Sequence, residues 1–410
     1  MHHDSTLQVD LGAIAHNVGV FSALVGPQSS VCGVVKANAY GLGLASLAPV
    51  LRDAGCGMLA VFRTEEALEV LQSAGSVPVL VLGPSRELHS VHPMAEPLRQ
   101  GLVHLVVHDL GHAQALSRMA QSQGARWRVH LEVDTGLGRG GCAMEHASTL
   151  MRMIMDDESL ELAGVMTHYA SAGTSQAGTK KQFESFLQSL SGAHSIPSTC
   201  QWHAAATAGA LQVPASHLDM IRIGLGWCGV VPGNSDLQSQ LPEPLRPAIR
   251  WSSHIAQIKR VPAGQPVGYG GLWRPSRESV LAIVPVGYAD GVPVHAGRRS
   301  GDAVDRAVVG IPAGESSRSG ESRWFAPVVG AVSMDQMMVD VTDAPELGRL
   351  RLGHGVELIS ADDHQPTSLW HMASRCGVTP HQVLTGIGPN IRRQYVQRPE
   401  TVVSSMPMAV

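Results

Sequence analysis

The sequence predicts an N-terminal (β/α)8 TIM-like barrel followed by a smaller C-terminal β-rich domain. Three observations carry this. Eight short apolar runs recur before residue 230, separated by segments with helical periodicity. After Gly229 that periodicity fades and short β-rich runs replace it. Lys36, Asp134, His168 and Arg222 all fall at or near the C-terminal ends of the early runs, where barrel enzymes carry their chemistry.

The eight runs lie at 31–36, 58–62, 79–83, 102–107, 129–134, 162–168, 199–204 and 220–224. Amphipathic helices are expected between them, most clearly at 43–54, 64–74, 110–122, 146–155 and 180–190. An open doubly wound sheet is the competing arrangement. The glycine-rich fingerprint that would favour it, Gly-x-Gly-x-x-Gly after the first strand, is missing. Residues 232–247, rich in Pro, Ser, Gln and Glu, are expected to form a linker. Strands follow at 253–260, 279–286, 324–329, 337–341 and 355–359. The expected boundaries are a barrel over 8–235, a β domain over 244–396 and a tail over 397–410, with a mobile surface loop at 313–322.

Bulk composition narrows the function classes. A chain of 410 residues suits two domains, and 44% hydrophobic with 16% charged residues suits a large core. The net charge of -4 comes without a basic stripe, so nucleic acid is not an expected partner. No His-Glu-x-x-His or Cys-x-x-Cys pattern suggests a metal site. Six widely spread cysteines, a polar N-terminus and no apolar run near 18 residues point to a soluble cytoplasmic protein with reduced thiols and no membrane partner.

Lys36 is the most informative residue. It closes an apolar stretch, Val31-Cys-Gly-Val-Val-Lys36, just before the chain turns. A lysine at the end of a buried strand costs free energy unless it is paired or used. Desolvation lowers its pKa and so favours the neutral amine that forms a Schiff base. Taken alone, Lys36 fits equally well an edge lysine that snorkels into water.

The segment around it, Val-Val-Lys36-Ala-Asn-Ala-Tyr40-Gly, resembles the cofactor-lysine motif of alanine racemases. Further stretches resemble that family in the same order: Asp134-Thr-Gly-Leu-Gly-Arg139, Met166-Thr-His168, His203 to Leu211, Ile221-Arg222-Ile-Gly224, Gly287-Tyr288-Ala-Asp-Gly291, and Gly330 to Asp340. The resemblance covers roughly residues 7 to 395.

The resemblance implies pyridoxal 5'-phosphate as cofactor and racemisation of an amino acid, most simply L-alanine to D-alanine, by two bases. Lys36 would serve the D face and Tyr288 the L face. His168 and Arg222 would activate Tyr288, because a free tyrosine has a pKa of about 10. Arg222 would also face the pyridine nitrogen, with His203 holding it. Arg139 and Met334 would bind the substrate carboxylate. Tyr40, Thr207 and the amides at Gly224 and Leu225 would hold the phosphate. Lys36 and Tyr288 fall in different expected domains, so the implied assembly is a head-to-tail homodimer with shared sites.

The chain departs from the family at several positions. Glu132 stands where many members carry a carbamylated lysine. It is expected either to pair with Arg139, directly or through water, or to point away and leave room for chloride. Pro389 stands near where a phosphate-contacting tyrosine is common, and Leu42, Ala206 and Cys228 replace a histidine, an asparagine and a tyrosine. These changes leave serine, lysine or arginine as alternative substrates, and a pyridoxal-phosphate decarboxylase or aldolase as the alternative enzyme. A non-catalytic carrier is disfavoured because all the residues matched to catalytic roles are present.

Overall fold

The computed structural model describes residues 5–86, 88, 92–192, 196–233, 235–297, 306–312, 323–345 and 347–397. All eight apolar runs form parallel strands: Ser30–Val34, Met58–Val61, Val79–Val81, Val103–Val107, Trp127–Asp134, Leu160–Met166, Gln201–His203 and Met220–Ile223. They pair in chain order, and the eighth returns to the first, with Arg222 opposite Cys32. The seam between the seventh and eighth is closed by two bonds. The Arg222 amide donates to the Ala205 carbonyl at 2.9 Å, and the Asp219 amide donates to that of Trp202 at 3.0 Å. Strands covered on both faces read as continuous apolar runs, which is why the barrel was visible in the sequence.

The helices Thr64–Ala74 and Leu110–Ser122 start and stop where periodicity placed them. Two others begin earlier than expected, at Met144 and Gln176. The second is set by Ser175, whose hydroxyl accepts from the Gly178 amide at 3.1 Å. Its polar first turn hides it from a hydrophobic period.

The C-terminal domain is built on a nine-stranded sheet. Its least expected member is Thr6–Asp10, which runs antiparallel to Ile249–His254 and parallel to Arg392–Val396. The Thr6–Asp10 strand thus belongs to the second domain's sheet, and the chain enters the barrel from it through the helix Leu11–Val25, capped by Asp10. The single run expected over 253–260 is two strands, Ile249–His254 and Gln257–Val261, and Val308–Pro312 is an additional one. Helices return late, at Leu369–Cys376 and Pro380–Gly386, each with a hydroxyl cap from Ser368 or Thr379. A buried pair, Arg250 Nε to Glu357 Oε2 at 2.7 Å, ties neighbouring strands of the sheet.

The 232–247 segment is held rather than loose at its far end. Asn17 donates to the Arg246 carbonyl at 2.8 Å and accepts from the Arg246 amide at 2.8 Å. Residues 313–322 and 398–410, expected as loop and tail, lie outside the described residues. Among the described residues no helix is long and apolar enough to cross a membrane.

Candidate active site

The strand carrying Lys36 stops at Val34. Lys36 instead opens a turn in which Ala37, Asn38, Ala39 and Tyr40 all have φ between 51° and 55°. Four consecutive non-glycine residues in the left-handed region cost about 1–2 kcal/mol each. The turn is held by hydrogen bonds from within and from two neighbouring segments. The Ala39 amide donates to the Val35 carbonyl and that of Gly41 to the Ala37 carbonyl, both at 2.8 Å. The carboxylate of Glu66 accepts from the Ala37 amide at 2.6 Å and the Asn38 amide at 3.4 Å. The C-terminal strand closes over it: Arg393 Nε donates to the Gly41 carbonyl at 3.1 Å, and the Tyr395 hydroxyl to that of Leu42 at 2.9 Å.

This turn aims Lys36 and Tyr40 into a cavity of about 730 Å³ at the C-terminal end of the barrel. Arg139, His168, Thr207, Arg222, Gly224 and Leu225 reach the same cavity. The structure thus brings together every residue that the sequence assigned to the barrel side of the site, except His203, which lies just beneath. Among the described residues Lys36 Nζ has no hydrogen bond or ion pair. Its pKa is lowered, first by burial and then by the charges of Arg139 and Arg222, against a raising effect from Glu66.

Arg222 is buried and spends its donors inside the barrel. It donates to His203 Nδ1 and the Thr167 carbonyl at 2.8 Å, to the Ala204 carbonyl at 3.1 Å and to His168 Nδ1 at 3.3 Å. These bonds leave Nε free on a residue that lines the cavity. His168 is pushed down to about 3 by burial and by the cations Arg222, Arg139 and Lys36, so it is neutral at physiological pH.

Arg139 rides on the loop after Trp127–Asp134, and Asp134 shapes that loop. Its Oδ1 accepts from the amides of Gly136 and Leu137 at 2.9 Å and of Gly138 at 3.1 Å. Glu132 turns away from Arg139: its Oε2 lies 2.9 Å from His108 Nδ1. Leu42 and Cys228 are buried core residues, while Ala206 lines the cavity. Gly224 admits no side chain, since a Cβ there would sit 2.3 Å from Tyr40 Oη. Thr207 Oγ1 accepts from the Gly224 and Gly226 amides at 3.3 Å.

Tyr288 and Met334 are not in this cavity. They stand beside each other on the second domain, with the Tyr288 amide donating to the Ser333 carbonyl, and are 43% and 54% exposed. The sequence reading missed Glu66, and it missed His381, which lines the cavity with its ring edge-on to Tyr40 at 5.5 Å.

Comparison with known proteins identifies a family for both domains. Residues 9–232 match the model of the alanine racemase N-terminal domain, and 248–395 that of the C-terminal domain. The alanine racemase of Desulfosudis oleivorans is 32% identical over 408 residues, with 95% of each chain covered. That of Sorangium cellulosum is 34% identical, covering 95% of this chain and 98% of that protein. Among solved structures, alanine racemase from Bartonella henselae with covalently bound pyridoxal phosphate superposes with a TM-score of 0.79 at 26% identity, covering 96% of this chain and 99% of that one. The biosynthetic alanine racemase of Pseudomonas aeruginosa gives 0.79 at 28% identity, covering 97% and 100%. With both domain models matched in order along a chain whose barrel presents an unpaired lysine of lowered pKa, this chain belongs to the alanine racemase family.

Proposed function

We propose that this chain interconverts L-alanine and D-alanine with pyridoxal phosphate, using Lys36 and Tyr288 as its two bases. The observation that carries the reading is Lys36, which is partner-free, destabilised as a cation, and shares one cavity with Arg139, His168 and Arg222. A neutral amine is the form that can attach a carbonyl cofactor covalently.

The residues present fit that cofactor. A Cβ on Gly224 would collide with the Tyr40 hydroxyl, and Thr207 Oγ1 lies 3.3 Å from the Gly224 amide, so two hydroxyls and backbone amides gather at one place in the cavity, a donor set that suits an anion. Tyr40, Thr207 and the amides at Gly224 and Leu225 would hold the phosphate. The free Nε of Arg222 would face the pyridine nitrogen, with His203 keeping the guanidinium in place. Arg139 and Met334 would take the substrate carboxylate. When bound, the cofactor withdraws electrons from the substrate's α-carbon and makes its α-proton removable.

Lys36 would move that proton on the D face and Tyr288 on the L face. His168 Nδ1 accepts from Arg222, so in its neutral ring the proton sits on Nε2. From there it can donate to the Tyr288 oxygen and stabilise the deprotonated base. Arg222 stays a cation and does not hand a proton to the pyridine nitrogen, which tempers electron withdrawal and favours racemisation over transamination. Tyr288 and Met334 line no cavity with Lys36 in one chain, so two copies arranged head to tail would complete two sites. We place the enzyme in the cytoplasm.

The test is chiral chromatography of the purified protein, loaded with cofactor, on each L-amino acid, with Lys36→Ala alongside. D-alanine forming fastest, and only with Lys36, supports the reading. A higher kcat/KM for serine, lysine or arginine would reassign the substrate. Carbon dioxide or an aldehyde instead of an epimer would overturn it.

A further inference from the structure

Arg222 is the first member of a longer buried run. His203 Nε2 lies 2.8 Å from His130 Nδ1, and His130 Nε2 lies 2.9 Å from His104 Nδ1. His203 and His130 are fully buried and His104 is 6% exposed. None of these contacts reaches the cavity, and the proposed mechanism uses only the first ring.

We propose that His130 and His104 are positioning residues for Arg222: through His203 they fix the direction of every proton in the barrel interior and so hold Arg222 as an immobile donor. This rests on the reading that Arg222 faces the cofactor.

The direction follows from chemistry. A guanidinium only donates, so His203 Nδ1 must accept and the His203 proton must sit on Nε2. A neutral imidazole has one donor and one acceptor nitrogen. The same logic therefore passes to His130 and then to His104, each protonated on Nε2. At the far end His104 Nε2 is buried with no hydrogen-bond partner among the described residues. Reversing a ring would set donor against donor, or acceptor against acceptor, at each of its links, and adding a proton would set donor against donor at one of them. The surroundings also oppose an added proton. Burial first, then neighbouring rings and Arg222, hold His130 and His203 well below 6.5, and burial with Arg128 takes His104 to about 4.

A separate feature shows that space is made for this run. Gly164 lies on the neighbouring strand, and a Cβ there would sit 2.3 Å from His130 Nδ1. The strand register also shifts between Val129 and His130. The barrel wall is thinned at the ring that links His203 to His104.

Nitrogen-15 NMR of the holoenzyme tests the proton arrangement directly. His203, His130 and His104 should each carry one proton, on Nε2, with no titration between pH 6 and 9. Titration within that range, or an Nδ1 proton on His130, would overturn the proposal. This readout is independent of turnover, so it stands even if the racemase reading fails. The kinetic test compares His130→Leu, which cuts both links, with His130→Gln, which keeps an acceptor towards His203 and a donor towards His104. His130→Leu should lower kcat about tenfold, the rate equivalent of one buried hydrogen bond, with KM little changed and more transamination per turnover. His130→Gln should recover most of the loss. Equal behaviour of the two variants would reduce His130 to a space-filling residue and overturn its positioning role. Should His130→Leu not fold, the wild-type spectrum and His130→Gln decide the question alone.

Discussion

Glu66 is the residue whose removal most directly tests how Lys36 is aimed. Its Oε1 accepts from the Ala37 and Asn38 amides, while its Oε2 accepts from those of Phe62 and Arg63 at 3.0 and 3.1 Å. One carboxylate thus caps both its own helix and the left-handed turn. The turn stores about 4–8 kcal/mol of backbone strain over four residues. A carboxylate bond to a backbone amide is worth about 1.5–3 kcal/mol net. One bond to the turn is short and one is long, and the site is partly exposed, so about 2 kcal/mol is the reasonable loss. Expressed in the barrier, that is about a 30-fold fall in kcat for Glu66→Ala. Glu66→Gln keeps one acceptor oxygen and should fall between. The charge has a second, separable effect. Glu66 is the one influence that raises the Lys36 pKa, so Glu66→Gln should lower that pKa further. The apo-protein captures pyridoxal phosphate through the neutral amine, and the acid limb of its capture rate should therefore move to lower pH. Stopped-flow capture and steady-state kcat separate the two. Wild-type kcat and an unmoved acid limb in Glu66→Ala and Glu66→Gln would refute the reasoning.

Four further outcomes follow from the same contacts. Tyr288→Phe should abolish L-to-D conversion while the cofactor still binds, read by its absorbance; retained conversion would remove Tyr288 as a base. Arg393→Ala should weaken cofactor binding several-fold in an equilibrium titration, because it frees the Gly41 carbonyl of the lysine turn, although Arg393 lies in the other domain. Glu357→Ala should cost about 1.5–3 kcal/mol by chemical denaturation, since it removes the carboxylate that both Arg250 and Arg323 pair with. Stability should be flat from about pH 6.5 to about pH 8, below the range in which the buried thiols would ionise on unfolding, and fall towards pH 4. His104, at about 4, and His168, at about 3, stay neutral in the fold while the unfolded chain takes up protons from 6.5 downwards. His104→Gln should flatten that slope, and an unchanged acid limb of Tm would contradict the assignment.

The barrel was legible because each strand is wrapped on both sides and so shows as an apolar run. Thr6–Asp10 was not, because its partners Ile249–His254 and Arg392–Val396 lie at the far end of the chain. Lys36 stood out as a charge closing an apolar stretch, but nothing in the residues that follow it signals four left-handed conformations. His130 and His104 carried the same kind of signal as Lys36. Each is a polar ring inside a run that is otherwise buried, in Trp127–Asp134 and Val103–Val107. The signal was readable, but only the spatial chain to Arg222 gives it meaning. Glu66 looked like an ordinary first-turn acid, and its reach to the Lys36 turn depends on two adjacent barrel loops meeting.

The site is organised around an amine that is both destabilised as a cation and correctly aimed. The lowered pKa comes first from burial in the barrel and then from its cations. Arg139 and Arg222 lie near Lys36, while the acids around the cavity are occupied elsewhere, Glu132 with His108 and Asp109 with Arg86. That unbalanced positive field also draws in an anionic cofactor and a carboxylate substrate. The same field would tend to protonate nothing nearby, so His168 and His203 stay neutral and can serve as acceptors for Arg222. Aim comes from both domains. The strained turn is held by Glu66 beneath it and, above it, by Arg393 and Tyr395 from the strand that pairs with the chain's first residues. The lysine's geometry therefore depends on the second domain being docked, and the first strand, threaded through that domain's sheet before the barrel begins, is what makes docking part of the fold.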